Sequence, residues 1–207
     1  ENILFDDNKI KNASFDQDKG FGLRGVVNDE VIFTHNSELT DKSLTNALSN
    51  LKVTSKTNPI SQIREHSKSN SSLYTSKNPI NIVSLNEKIN FLEKVNKYAR
   101  EIDSNVKEVS VSLNGNHQNI EVTTKNGNMF YDSRPLVRMN INISVDKKGK
   151  IESGSFGAGG RYLYEELFKE GAWKSGVEKA YNQALIKHIA KPSPAGEQTV
   201  ILGQFLP

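Results

Sequence analysis

The sequence predicts an α+β protein of two small modules, each an antiparallel sheet with helices packed on it. Three observations carry this reading. Short runs of alternating apolar and polar residues are separated by turn dipeptides such as Asn126-Gly127 and Lys148-Gly149. Two long stretches instead repeat their apolar residues at three- and four-residue steps. A polar, aperiodic stretch divides the chain. Period two marks half-buried strands and period 3.6 marks amphipathic helices. Strands grouped apart from helices give layered packing, not a parallel βαβ sheet.

The first module spans 1–55. Asn2–Phe5 and Ile10–Phe15 flank the turn-like Asp6-Asp7-Asn8-Lys9, and Gly20–Val27 and Val31–Thr34 flank Asn28-Asp29-Glu30. The pattern predicts an antiparallel meander with two tight turns. A helix follows, capped by Thr40 or Asp41, with Leu44, Ala47, Leu48 and Leu51 on one face. Residues 56–83 form a polar linker with local anchors at Leu73-Tyr74 and Ile80.

The second module spans 84–196. Ser84 and Glu87 form a capping box: the hydroxyl serves the third helical amide and the carboxylate reaches back. Leu85, Ile89, Leu92, Val95, Ala99 and Ile102 then make one apolar stripe ending near Asp103. A four-stranded meander is predicted next. Val109–Leu113 turns at Asn114-Gly115, Ile120–Thr123 turns at Asn126-Gly127, and Met129–Tyr131 leads to Arg134-Pro135. Leu136–Val145 turns at Lys148-Gly149 and returns through Phe156. A last helix from about Ala172 to Ala190 turns Trp173, Val177, Ala180, Ala184 and His188 inward. Thr199–Gly203 reads as a buried-type strand, so 197–207 is expected to be the stub of a further domain.

Composition narrows the function classes. The 207 residues are 35% hydrophobic and 25% charged, which is not a disordered composition. The 27 basic and 24 acidic residues interleave to a net charge of +3, so no phosphate-binding stripe forms and no direct nucleic-acid partner is expected. No apolar run reaches the ~18 residues of a membrane span, and no stretch reads as a signal peptide. The absence of cysteine removes disulfides and thiolate metal sites.

The search for chemistry yields no complete constellation. His35, His66, His117 and His188 stand apart from one another, without the three- to five-residue spacing of a helical zinc motif. Gly154-Ser155-Phe156-Gly157 only approaches a nucleophile elbow. The glycines from Gly154 to Gly160 follow an antiparallel strand, the wrong context for a dinucleotide loop. Arg134 and Arg138 share one strand face with Leu136. They read either as an intramolecular ion-pairing set or as a carboxylate clamp.

Several of these segments together resemble the TldD/PmbA family, and its TldD branch more closely. They are Gly20-Phe21-Gly22-Leu23-Arg24, Leu73-Tyr74-Thr75-Ser76 with Pro79, Arg134-Pro135-Leu136-Val137-Arg138, Gly159-Gly160-Arg161, and Pro194-Ala195-Gly196-Glu197 before Val200-Ile201-Leu202-Gly203. Their order and spacing cover almost the whole chain. The resemblance implies a cytoplasmic zinc metallopeptidase (a hydrolase historically called a modulator of DNA gyrase) that acts in proteolysis of unfolded or peptide-like substrates. It implies a TldE/PmbA-type partner subunit or a homo-oligomer.

The family's His-Glu-x-x-x-His motif lies beyond the strand matching Thr199–Gly203, and the chain reaches Pro207 before it. The reading is therefore a truncated, non-catalytic N-terminal and central part, inactive alone, serving substrate guidance and subunit assembly. The alternative is a stand-alone adaptor or inactive remnant of a split gene. No catalytic residue and no metal ligand is assigned. Zinc is expected in the missing catalytic module and no cofactor in this chain. Arg134, Arg138, Gly159, Gly160 and Arg161 are the substrate- or partner-contact candidates.

Overall fold

A computed structural model describes residues 1–27, 30–51, 64–65 and 73–201. In chain order the elements begin with β1 (Asn2–Asp6), β2 (Lys9–Ser14), β3 (Phe21–Val27), β4 (Glu30–Asn36), α1 (Asp41–Asn50) and β5 (Arg64–Glu65). They continue with α2 (Pro79–Ile82), α3 (Leu85–Ile102), β6 (Val106–Thr123), β7 (Asn128–Lys147), β8 (Lys150–Gly160), α4 (Tyr164–Phe168) and α5 (Glu170–Ile189). The protein is α+β, with antiparallel sheets and packed helices. It divides into a larger unit of residues 1–14, 65–122 and 129–207 and a smaller unit of residues 15–64 and 123–128.

The larger unit is built on a sheet in the order β2-β1-β6-β7-β5, with β8 also paired to β7. Alternation decides its two faces. Val109, Val111 and Leu113 of β6 and Val137, Met139, Ile141, Ile143 and Val145 of β7 are all fully buried. Helix α3 covers them with Phe91, Leu92, Val95 and Ala99, and α5 with Trp173, Val177, Ala180 and Ala184. The Ser84–Glu87 capping box forms as the sequence predicts. The strand β8 runs so close beneath α5 that a Cβ on Gly154 would lie 1.9 Å from the Ala180 carbonyl oxygen. Only glycine permits that approach.

The first meander is corrected. Strand β1 does not pair with β3 in one sheet. It pairs with β2 on one side and with β6 on the other, with Ile3 opposite Leu113 and Phe5 opposite Val111. Ile3 and Phe5 alternate inward and need the larger core, which fixes this pairing. The Asp7-Asn8 turn has φ of 48° and 64°, the left-handed pair of a type I′ hairpin.

Two predicted breaks are absent. Strand β6 continues through Asn114-Gly115, because the Gly115 amide donates to the Glu1 carbonyl and extends the β1 ladder. Glycine is needed there for packing, not turning: a Cβ would lie 2.3 Å from the Tyr164 hydroxyl. Strand β7 continues through Pro135, which sits just beyond the β8 ladder that begins at Val137. The hairpins at Asn126-Gly127 and Lys148-Gly149 form, with φ of 76° at Gly127 and 81° at Gly149.

The smaller unit contains the two-stranded sheet β3-β4 and α1. Thr40 caps α1 through a reciprocal box with Ser43. The buried positions of this helix segment are Ser43, Ala47 and Leu51, one every fourth residue. Leu44 and Leu48, predicted on the inward face, are 40% and 54% exposed. In α3, likewise, Leu85 of the predicted stripe is 48% exposed, while Lys88, Phe91 and Asn96 are buried. No strand forms at 198–201, where Val200 and Ile201 stand exposed. An apolar run becomes a strand only beside a ladder partner, and none adjoins it among the described residues. The Asn28-Asp29 turn and most of the predicted linker lie outside those residues.

Leu92→Ala is expected to cost about 2–5 kcal/mol, because Leu92 is fully buried between sheet and helix. Leu85→Ala should stay within about 0.5 kcal/mol. Urea unfolding of both variants checks the pair.

Candidate functional site

The candidate residues sit where β7 and β8 run side by side. In the register, Arg138 faces Gly159 and Val137 faces Gly160. Along β7, Val137 and Met139 are fully buried while Leu136 and Arg138 are exposed and Arg134 is half-buried, so Arg134, Leu136 and Arg138 lie on the face turned from the core.

Each arginine has a different environment. Arg134 Nε donates to Asp132 Oδ2 at 2.5 Å, and the Tyr74 hydroxyl donates to the same oxygen at 2.7 Å. The Tyr74 hydrogen bond, then the one from Arg134, holds the Asp132 carboxyl below the usual carboxylate range. The bond to Asp132 in turn raises the Arg134 pKa. Arg161 lies with its guanidinium carbon 5.2 Å from the centre of the Tyr74 ring. Tyr74 thus touches both the Asp132–Arg134 pair and Arg161. Arg138 donates through Nε to Asn140 Oδ1 at 2.8 Å. Its guanidinium crosses Gly157, where a Cβ would lie 2.7 Å from Nη2. Arg138 and Arg161 make no ion pair with a carboxylate among the described residues.

At Gly159 a Cβ would meet the Val137 carbonyl oxygen at 2.4 Å, and at Gly160 the Tyr162 ring at 2.3 Å. The close neighbours of both glycines are therefore atoms of this chain. The residues that sequence reasoning did not select are Tyr74, Asp132 and Gly157. Asp132 carries a usable signal, an acid two residues before Arg134 on one strand. The partnership of Tyr74 across 58 residues carries none.

A second polar network lies nearby in sequence. Ser133 Oγ is 2.9 Å from His117 Nε2, 2.8 Å from Asn119 Oδ1 and 3.2 Å from the Ser76 carbonyl. His117 Nε2 also faces that carbonyl at 3.4 Å. A ring nitrogen facing a carbonyl carries its proton, so the imidazole donates to Ser133 and the hydroxyl donates onward to Asn119. This is the reverse of a nucleophile activated by a base.

The other histidines are equally local. His188 Nε2 is 3.1 Å from the Val145 carbonyl. His35 stacks on Phe33 at 6.0 Å. His66 lies outside the described residues. Among the described residues no three His, Asp or Glu side chains converge, so these side chains do not fit a zinc ion.

The model of the PmbA/TldA metallopeptidase central domain matches residues 78–187, and that of PmbA/TldA metallopeptidase domain 1 matches residues 1–52. The chain belongs to the PmbA/TldD family. A metalloprotease TldD homolog of Haemophilus influenzae is 30% identical over all of this chain and 44% of its own length. One from Buchnera aphidicola is 27% identical over 96% of this chain and 42% of its own. The chain thus spans a little under half the length of these relatives. In fold it is similar to a protein described as a modulator of DNA gyrase from Thermotoga maritima, with a TM-score of 0.71 at 17% identity over 94% of this chain and 44% of that one. TldE of Thermococcus kodakarensis gives 0.53 at 19% identity over 86% and 41%. All five candidate residues fall within the PmbA/TldD central-domain match. No helix among the described residues is long and apolar enough to cross a membrane.

The lowered Asp132 pKa gives a signed prediction. A carboxyl whose folded pKa lies below its unfolded value adds stability above the unfolded pKa, and that stability is lost as pH falls through the folded one. Asp132→Asn should therefore lower Tm at pH 7, and the gap to the parent should close below about pH 4. Thermal melts from pH 7 to 2.5 check this; a constant gap contradicts the assignment.

Proposed function

We propose that this chain is the leading and central part of a TldD-type zinc metallopeptidase of the cytoplasm, and that it guides peptide or unfolded substrates and mediates subunit assembly. The observation that carries the reading is the corner where β8 ends. Arg138 and Arg161 present two planar cationic forks beside a glycine-lined strand, without a carboxylate partner among the described residues. Arginine binds a carboxylate through two parallel N–H donors, which fixes orientation as well as charge. The partner carboxylate belongs to an incoming peptide or to a TldE-type or identical subunit.

In this reading Arg134 has a different task. Its bond to Asp132 holds that end of β7 in place, while Arg138 and Arg161 make the contacts. Gly159 and Gly160 keep the strand end flat enough for a second chain to reach the arginines. The modules are proposed to divide at 1–55 and 84–196 with a linker between. In this reading the zinc chemistry lies outside the part that this chain covers.

Replacing both Arg138 and Arg161 by Ala should change Tm by less than about 2 °C, because both side chains are surface groups outside the core. It should weaken capture of a TldE-type subunit about tenfold or more, measured by calorimetry. Undiminished capture by a folded double variant overturns the contact role. The 207-residue chain alone is expected to hold no stoichiometric zinc and to leave an unfolded peptide uncut. Metal analysis beside a cleavage assay with and without chelator reads this; chelator-sensitive cleavage overturns it.

A further inference from the structure

We propose that the open edge of β8 takes up one further strand, from an extended polypeptide that sets a carboxylate opposite Gly157. This strand site rests on the reading of Arg138 as a contact residue and extends it to the backbone alongside.

Strand β8 pairs with β7 on one side and with no strand on the other among the described residues. Along an antiparallel strand, alternate residues turn both N–H and C=O to the same edge. Two side chains of α5 show which residues face outward. Gln183 Oε1 accepts from the Ser155 amide at 2.6 Å, and Lys187 Nζ donates to the Ser153 carbonyl at 2.6 Å. Ser153 and Ser155 thus face away from β7. The ladder runs without a register shift from Lys150 to Gly160, so Gly157 and Gly159 face the same way. Nothing among the described residues bonds their outward N–H and C=O groups. Both glycines are exposed, and a residue with no side chain exposes its backbone. Two donors and two acceptors therefore stand open in a row, which is a template for strand pairing.

Arg138 selects what fills it. The residue belongs to β7, but its guanidinium lies over β8: a Cβ on Gly157 would be 2.7 Å from Nη2. The missing side chain at 157 is what lets the arginine cross. Neighbouring strands lie about 4.8 Å apart, so an added strand runs one spacing beyond the guanidinium. Directly paired residues put their side chains on the same face. An Asp or Glu opposite Gly157 then meets Arg138, which has no carboxylate partner among the described residues. A free phosphate or carboxylate would satisfy the arginine and leave the edge groups open. A second copy of this edge does not serve either. Ser153, Ser155, Gly157 and Gly159 carry no carboxylate, and two-fold pairing about Gly157 would bring the two Arg138 side chains together.

The test uses the full isotope-labelled chain and the blocked pentapeptide N-acetyl-Thr-Val-Glu-Val-Thr-amide. With its glutamate opposite Gly157, the first, third and fifth residues turn their N–H groups to β8, and the second and fourth turn theirs away. Titration should shift the Gly157 and Gly159 amide signals in a saturable way and slow their hydrogen exchange. Methylating the peptide nitrogens of the first and third residues should weaken binding about tenfold or more, whereas methylating the second and fourth should leave it within about twofold. Replacing the glutamate by glutamine should weaken binding about tenfold, and so should Arg138→Gln, a change at an exposed side chain. An equal effect of the two methylation patterns, with the glutamate dependence kept, overturns the added strand and leaves the arginine contact standing. Binding that follows the methylation pattern but ignores the glutamate overturns the acidic partner. No saturable shift at the two glycines overturns the proposal as a whole.

Discussion

Every second residue of β7 from Val137 to Val145 is fully buried, and the larger unit is organised by covering that ladder. Burying a Val, Ile or Met side chain stabilises by about 1.5–3 kcal/mol each, so these five positions outweigh any single polar contact in the fold. The same alternation has a second effect. If odd-numbered positions face the core, even-numbered ones must face away. Arg138 reaches the outer face because Val137 and Met139 cannot. A slip of one residue would bury the arginine and expose the ladder together. Core and candidate site are thus set by one register.

Polar ties then fix the elements around that core. Lys88 is 1% exposed, and its ammonium is satisfied by the Glu1 carboxylate at 2.7 and 2.9 Å and the Ile80 carbonyl at 2.8 Å. Tyr164 donates to the same carboxylate at 3.2 Å. Burial, followed by that negative charge, pushes the Tyr164 hydroxyl pKa well up, so it stays a donor. These bonds join Glu1, just ahead of β1, to α2, α3 and α4. At the other end of α3, Tyr181 of α5 donates to Asp103 at 2.5 Å. Burial and this bond push the Tyr181 pKa to about 12, and the bond holds Asp103 below its usual range. Removing one member of a buried charged set leaves the other unpaired in a dry setting, which is costlier than deleting both.

The fold was legible where local chemistry and tertiary packing agree. Ser84 with Glu87, the inward residues of α5, the turns at Gly127 and Gly149, and the β7 alternation are all written in spacing. It was illegible where a residue serves a distant neighbour. Asn114-Gly115 has turn composition, but its glycine is there for Tyr164, 49 residues away. Leu44 and Leu48 have core composition, but α1 turns Ser43, Ala47 and Leu51 inward instead. At the site, the three arginines and two glycines were visible as a cluster of residue types. Asp132 carries a spacing signal, two residues before Arg134, but Tyr74 carries none, because a hydrogen bond across 58 residues leaves no pattern.

The central claim, that one β7–β8 register sets both core and site, can be tested by cross-linking. Ser144 and Ser153 are register partners on the outer face, with their hydroxyl oxygens 2.9 Å apart. The chain has no native cysteine, so introduced thiols report without interference. Directly opposite side chains place their Cβ atoms about 4.5–5.5 Å apart, near disulfide reach, whereas diagonal pairs lie about 7–8 Å apart. The double variant Ser144→Cys/Ser153→Cys should oxidise readily and keep a cooperative melt. The offset variant Asn142→Cys/Ser153→Cys should remain reduced under the same conditions. Faster cross-linking of the offset pair would contradict the register and, with it, the shared origin of core and site.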